Sequence, residues 1–113
     1  MDCIFCKIVA REIPANIVYQ DDRLTAFRDL NPQAPVHILI VPNEHIPSTL
    51  ELQPVHDPIV GEMVRAAAVL AEREGVAQSG FRLVINTGAD AGQTVQHIHI
   101  HLLGGRAMQW PPG

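Results

Sequence analysis

The chain has 113 residues, which fits one domain with enough length to bury a core of its own. Apolar residues make up 47% and charged residues 18%, a globular balance that excludes a disordered chain. Aromatics are only 4%, so Ile, Val and Leu must build most of the core, and a net charge of −4 offers no long-range attraction to nucleic acid or to an anionic membrane.

Residues 1–113 read as a single domain with no internal repeat, low-complexity tract or linker. No apolar run approaches the roughly 20 residues that span a bilayer. The start, Met1-Asp2-Cys3-Ile4-Phe5-Cys6, lacks the basic and apolar regions of a signal peptide, so a cytoplasmic location is expected. Cys3 and Cys6 are the only cysteines. In a reducing compartment their two-residue separation suggests a metal site or a redox pair before a structural disulfide.

Taken in order, Ile4 to Ala10 can form a short helix that stops near Ile13-Pro14. Asn16–Gln20 and Leu24–Arg28 read as a hairpin around Asp21-Asp22. Val36–Val41 is a continuous apolar run bounded by Pro35 and Pro42, which predicts a buried strand. Asp57-Pro58 opens a long helix, with Asp57 expected as N-cap and Pro58 at the first helical position. Ile59, Met63, Ala66 and Leu70 recur at helical spacing, and Gly75 is a suitable stop. Phe81–Asn86 and Gln96–Leu103 are further strand candidates. About five strands, one long helix and one short helix predict an antiparallel α+β sheet. The tail, 104–113, holds two prolines, three glycines and the only tryptophan, Trp110. It cannot be helix or central strand, but it can pack onto another surface, such as a second subunit.

His97-Ile98-His99-Ile100-His101-Leu102-Leu103 alternates with the period of a strand. Ile98, Ile100 and Leu102 are expected to face the core, with all three histidines on the other face. Core packing does not require three of the chain's six histidines in that arrangement. Solvated polar residues are the plain alternative. A shared metal is a second, although His97 and His101 would lie roughly 13 Å apart along a strand, too far for all three to hold one ion. Catalysis by a neutral imidazole is a third. The polar loop Asn86–Thr94 favours it: Gly88 and Gly92 allow amide N–H groups to turn toward a phosphate, and Thr94 adds a hydroxyl.

These residues resemble a known family. His97 to Leu103 has the His-φ-His-φ-His-φ-φ pattern (φ apolar) of the histidine triad, or HIT, superfamily. The ending Gly-Gly-Arg-x-Met-x-Trp-Pro-Pro-Gly resembles its nucleotide-binding Hint branch. Phe5-Cys6-Lys7-Ile8, Glu12-Ile13-Pro14-Ala15, Asp29, Pro32-Gln33-Ala34-Pro35 and Val41-Pro42 are similar to that branch as well. The resemblance implies a HIT-like fold whose sheet extends across a homodimer. It also implies hydrolysis of purine nucleoside 5′-phosphoramidates through a nucleotidyl-histidine, with no cofactor required for catalysis.

By the same resemblance His99 is the nucleophile, His101 contacts the phosphate oxygens and His37 neighbours the nucleophile. Thr94 stands near the leaving group. Asn86, Gly92 and Gln93 belong to the polar site and its loop, and Asp29 binds the ribose hydroxyls. Phe5, Ile8, Ile13, Phe27 and Leu30 wall the base, and Trp110 reaches the partner's substrate region. Arg28 departs from the histidine of the animal proteins. Bacterial members with the Cys-x-x-Cys pair imply a structural zinc on Cys3, Cys6, His45 and His97. Two other functions stay open at this point: a nucleotide-binding regulatory partner with little turnover, and a dinucleoside polyphosphate hydrolase. His56 has no assigned role.

Overall fold

The computed structural model describes residues 2–113. Helix α1 spans Ile4–Val9, followed by the hairpin β1 (Ile17–Gln20) and β2 (Leu24–Arg28) and then β3 (Val36–Pro42). Helix α2 spans Asp57–Arg73, and β4 (Phe81–Val84) and β5 (Ile100–Gly104) complete the chain. The five strands form one sheet in the order β1-β2-β3-β5-β4, every neighbouring pair antiparallel. The expected α+β architecture is therefore present. No helix among the described residues is long and apolar enough to cross a membrane.

β3 is the central strand and is buried along its whole length. Its alternation divides the molecule. Val36, Ile38 and Ile40 join Ile100 and Leu102 of β5 and Ile59, Met63, Ala67 and Leu70 of α2 in one core. Leu39 and Val41 turn to the opposite face and pack with Phe5, Ile8 and Phe27 under α1. His37 shares that second face, because side chains two apart on a strand point the same way.

Several details differ from the sequence expectation. Asp57 is not the N-cap of α2: a 3-10 turn, Pro54–His56, precedes the helix, so His56 holds that position and Asp57-Pro58 begin the first turn. Ala67 and Ala71, rather than Ala66, are the fully buried alanines of the helical stripe. β5 starts at Ile100, not Gln96, and β4 ends at Val84, not Asn86. The late start of β5 has a cause. The Ile98 N–H donates to the Ile46 carbonyl at 2.7 Å, so this stretch is held by the loop after β3 instead of by the sheet.

Gly75 ends α2 as expected, at φ +75°. The Val76 N–H reaches the Ala71 carbonyl and the Gly75 N–H reaches Glu72, the paired bonds of a Schellman ending.

Met63 is only 1% exposed at the centre of the α2–sheet core. Met63→Ala should cost about 2–5 kcal/mol in urea unfolding. Val64→Ala, on the half-exposed side of the same helix, should stay within about 0.5 kcal/mol.

Candidate active site

Between α1 and the sheet lies a cleft of about 270 Å³. Its walls include Phe5, Ile8, Ile13, Phe27, Leu30 and Leu39, and its polar edge carries Asp29, Thr94, His99 and His101. Phe5 meets Phe27 edge-on, with ring centroids 5.2 Å apart, and meets His99 edge-on at 5.1 Å. Leu30 is 95% exposed and stands at the rim.

His37, His97 and His99 are buried and His101 is half-buried, and the partners of their ring nitrogens determine the protons. The His99 Nδ1 lies 2.7 Å from the His97 carbonyl oxygen. A carbonyl only accepts, so Nδ1 carries the proton and Nε2 keeps its lone pair. For His37 the logic runs the other way. The Gln33 main-chain N–H donates to His37 Nδ1 at 3.0 Å, which leaves the proton on Nε2. That Nε2 lies 2.9 Å from His101 Nδ1, so His37 donates to His101. His101 is then protonated on Nε2 and offers an N–H donor. His37 and His101 are diagonal neighbours on adjacent strands: His37 pairs with Leu103, and His101 with Leu39.

Burial lowers the pKa of His37, His97, His99 and His101 alike. His101 is pushed down to about 4, by burial first and then by His99 and His37. The Asp29 carboxylate partly opposes the shifts of His37, His99 and His101, and the Pro42 carbonyl partly opposes that of His97. All four imidazoles are thus neutral near pH 7.

Asp29 is held by its own turn. Its Oδ1 accepts the Asn31 N–H at 2.8 Å, and its Oδ2 lies 3.5 Å from His37 Nε2. Arg28 turns away toward the α2 face, where two of its nitrogens pair with the two Glu74 carboxylate oxygens at 2.9 and 3.0 Å.

A second cluster sits behind His99. Cys3 Sγ and His97 Nδ1 are 3.3 Å apart, Cys6 Sγ and His45 Nδ1 3.3 Å, Cys6 Sγ and His97 Nδ1 3.6 Å, and the two Nδ1 atoms 3.2 Å. Zinc bond lengths place tetrahedral donors about 3.3 Å apart for N···N and about 3.6 Å for N···S. The donor set fits such an ion. His97 Nε2 also donates to the Pro42 carbonyl at 2.7 Å, which leaves Nδ1 as a lone pair directed into the cluster. Burial and the neighbouring Cys3 thiol raise the Cys6 pKa, so a bound cation is what would hold that sulfur as thiolate.

Asp29, His37 and His101 also lie close enough together to suggest a metal site. That trio does not fit. The Gln33 N–H occupies His37 Nδ1, so Nε2 carries a proton instead of a free lone pair.

A HIT domain model matches residues 10–108. The chain belongs to the HIT family. It is 54% identical over 107 residues to a purine nucleoside phosphoramidase of Escherichia coli (strain K12), covering 95% of this chain and 90% of that protein. It is 46% identical over 114 residues to a 14 kDa zinc-binding protein of Brassica juncea, covering 99% of this chain and all of that one. The crystal structure of a HIT family hydrolase from Legionella pneumophila Philadelphia 1 matches with TM-score 0.98 and 46% identity, over 99% of this chain and 100% of that chain.

Within this HIT domain the expected site residues divide into groups. His99, His101, Thr94, Asp29 and the five apolar wall residues line the cleft, and His37 reaches it through His101. Cys3, Cys6, His45 and His97 come together separately. Asn86, Gly92, Gln93 and Trp110 do not line the cleft.

The glycine loop closes on itself. Gly92 N–H donates to Ala89, Gln93 N–H donates to Gly88, and Gly88 N–H donates to the Gln93 side chain. The Gln93 amide also donates to the Pro47 and Val95 carbonyls. The positive φ of Gly88 and Gly92 therefore serves a tight turn, and those amides are not turned to an anion. Trp110 is 82% exposed. Sequence reasoning missed the main-chain partners: the Gln33 amide and the His97 and Pro42 carbonyls. Their residue types carry no signal.

Unfolded imidazoles take up protons near pH 6.5 and these folded ones only at lower pH, so acidification through that window favours the unfolded chain. Stability should be complete above about pH 6.5 and fall progressively toward pH 4. An NMR titration should find the His101 midpoint near 4, and unfolding in urea should come at lower concentration at pH 5 than at pH 7.5.

Proposed function

We propose that this chain hydrolyses purine nucleoside 5′-phosphoramidates. The observation that carries the reading is the proton placement on His99: Nδ1–H is tied to a carbonyl, and the free nitrogen of a cleft-lining ring is an unprotonated Nε2. A neutral buried imidazole is a competent nucleophile at pH 7. The relation to the Escherichia coli phosphoramidase supports the substrate class.

The apolar walls take the base, and Asp29 accepts from the ribose hydroxyls. His99 Nε2 attacks the α-phosphorus. The new N–P bond forms as the phosphorus–amine bond breaks, and the amine leaves with a proton drawn from the solvent-exposed side of the cleft, beside the Thr94 hydroxyl. The charge that develops on the His99 ring is balanced through Nδ1–H by the His97 carbonyl. His101 Nε2–H donates to the phosphate oxygens, an arrangement of the kind that lowers barriers by placing donors in advance. Water then attacks phosphorus and gives up a proton to solvent as the bond to His99 breaks, which restores the neutral imidazole and releases the nucleoside monophosphate. None of these steps calls on a metal.

The cysteine–histidine cluster is proposed to hold a structural zinc, which the Brassica juncea relative's name supports. A cytoplasmic setting would keep its thiols reduced. We also propose the homodimer, with the sheet continued across the outer edge of β4. Arg82 of β4 donates to the Gln109 carbonyl, so the tail runs beside that edge and could carry the exposed Trp110 to a partner's substrate region. Light scattering at twice the chain mass would support the dimer, and at the single-chain mass would remove it.

Adenosine 5′-phosphoramidate should release AMP with wild-type protein, and His99→Ala should lower kcat/KM by about 10³-fold or more. Acid quenching during turnover should trap AMP on the wild-type chain only. Equal AMP release by both proteins would remove the mechanism. Tight AMP binding without turnover would favour a nucleotide-binding partner protein.

A further inference from the structure

Two separate routes connect the cysteine–histidine cluster to His99. One is the main chain. The His97 Nδ1 belongs to the cluster, while the His97 carbonyl holds the His99 Nδ1–H at 2.7 Å. The other is α1. This helix has only six residues, too few to be stable alone. Cys3 caps it by accepting the Cys6 N–H, and these two cysteines bracket Ile4 and Phe5. Ile4, Phe5 and Ile8 line the cleft, and the Phe5 ring lies edge-on to His99 at an interplanar angle of 86°.

We propose that the Cys3/Cys6/His45/His97 centre, when loaded with its metal, positions the nucleophile and holds the cleft wall: it keeps the His97 carbonyl on His99 Nδ1–H and keeps α1, with Phe5, against the His99 ring. This inference rests on the zinc reading above. A purely structural zinc would change only global stability. A positioning centre has a local effect as well. Without the metal, only the weaker thiol–imidazole contacts of Cys3 and Cys6 tie α1 to His97. His99 can then take the other tautomer, in which the proton on Nε2 removes the attacking lone pair, and the apolar wall of the nucleotide site loosens.

The test uses the full chain loaded with zinc, stripped with chelator, and reloaded. His45→Ala serves as the milder variant, because His45 lines no part of the nucleotide cleft and makes no bond to His99. Metal content, the ¹⁵N spectrum of the His99 imidazole and AMP affinity by calorimetry are read on each sample, with circular dichroism to show folding. Zinc-loaded wild type should show one zinc per chain and a single Nδ1–H tautomer. Stripped wild type and His45→Ala should remain folded, show mixed tautomers and bind AMP about tenfold or more weakly. Reloading should restore wild type.

The proposal is overturned if zinc binds and its removal changes neither tautomer nor AMP affinity, which would leave a structural zinc in place. It is also overturned if the intact chain retains no zinc. That result removes the zinc reading too but leaves the phosphoramidase reading untouched. If stripping unfolds the wild type, His45→Ala decides.

Discussion

A buried imidazole has two nitrogens to satisfy, and in this chain the main chain settles most of them. No buried side-chain nitrogen or oxygen among the described residues lacks a partner. Since unpaired buried polar groups are costly, this complete pairing is a strong constraint. A carbonyl forces the proton onto the near nitrogen of His99 and of His97. An amide forces it off the near nitrogen of His37. Three rings of the same chemical type thereby acquire three different faces: an electron pair toward the cleft, an electron pair toward the cysteines, and a proton handed to His101.

The sheet makes this possible by presenting two unlike faces. The odd-numbered residues of β3 look toward α1 and the cleft, and the even-numbered ones toward α2. Burying both sides of the central strand leaves the active face dry enough to depress every imidazole there. The same partition sends Arg28 to Glu74 on the α2 side, although it stands next to Asp29 in sequence. The departure at residue 28 therefore ties up the guanidinium in a bidentate ion pair with Glu74, although Arg28 is among the residues that line the cleft.

Much of the fold was legible because local chemistry agreed with the tertiary outcome. Pro35 precedes β3 and Pro42 is its last residue, the 3.6-residue stripe defines α2, and Gly75 ends it at positive φ. Failures occurred where a distant group took over. Alternation alone predicts a strand through His97, but the Ile46 carbonyl captures the Ile98 N–H. Gln53 and His56 cap each other's turn and move the helix start past the expected Asp57 position. In the site, the identities of His37, His99, His101 and Asp29 could be read from motif residues. The proton on each ring could not, since it depends on Gln33, His97 and Pro42 backbone atoms whose side chains say nothing about it. The glycine loop misled for a related reason: positive φ permits an anion nest but equally permits a closed turn, and the Gln93 side chain selects the latter.

The pairing of Arg28 with Glu74 also bears on how the site empties. With that guanidinium engaged on the far face, the phosphate end of the cleft is furnished with uncharged donors, His101 foremost. Ionised donors make hydrogen bonds roughly twice as strong as neutral ones. With neutral donors at the phosphate, the hold on a departing nucleoside monophosphate falls mainly to the apolar walls and Asp29.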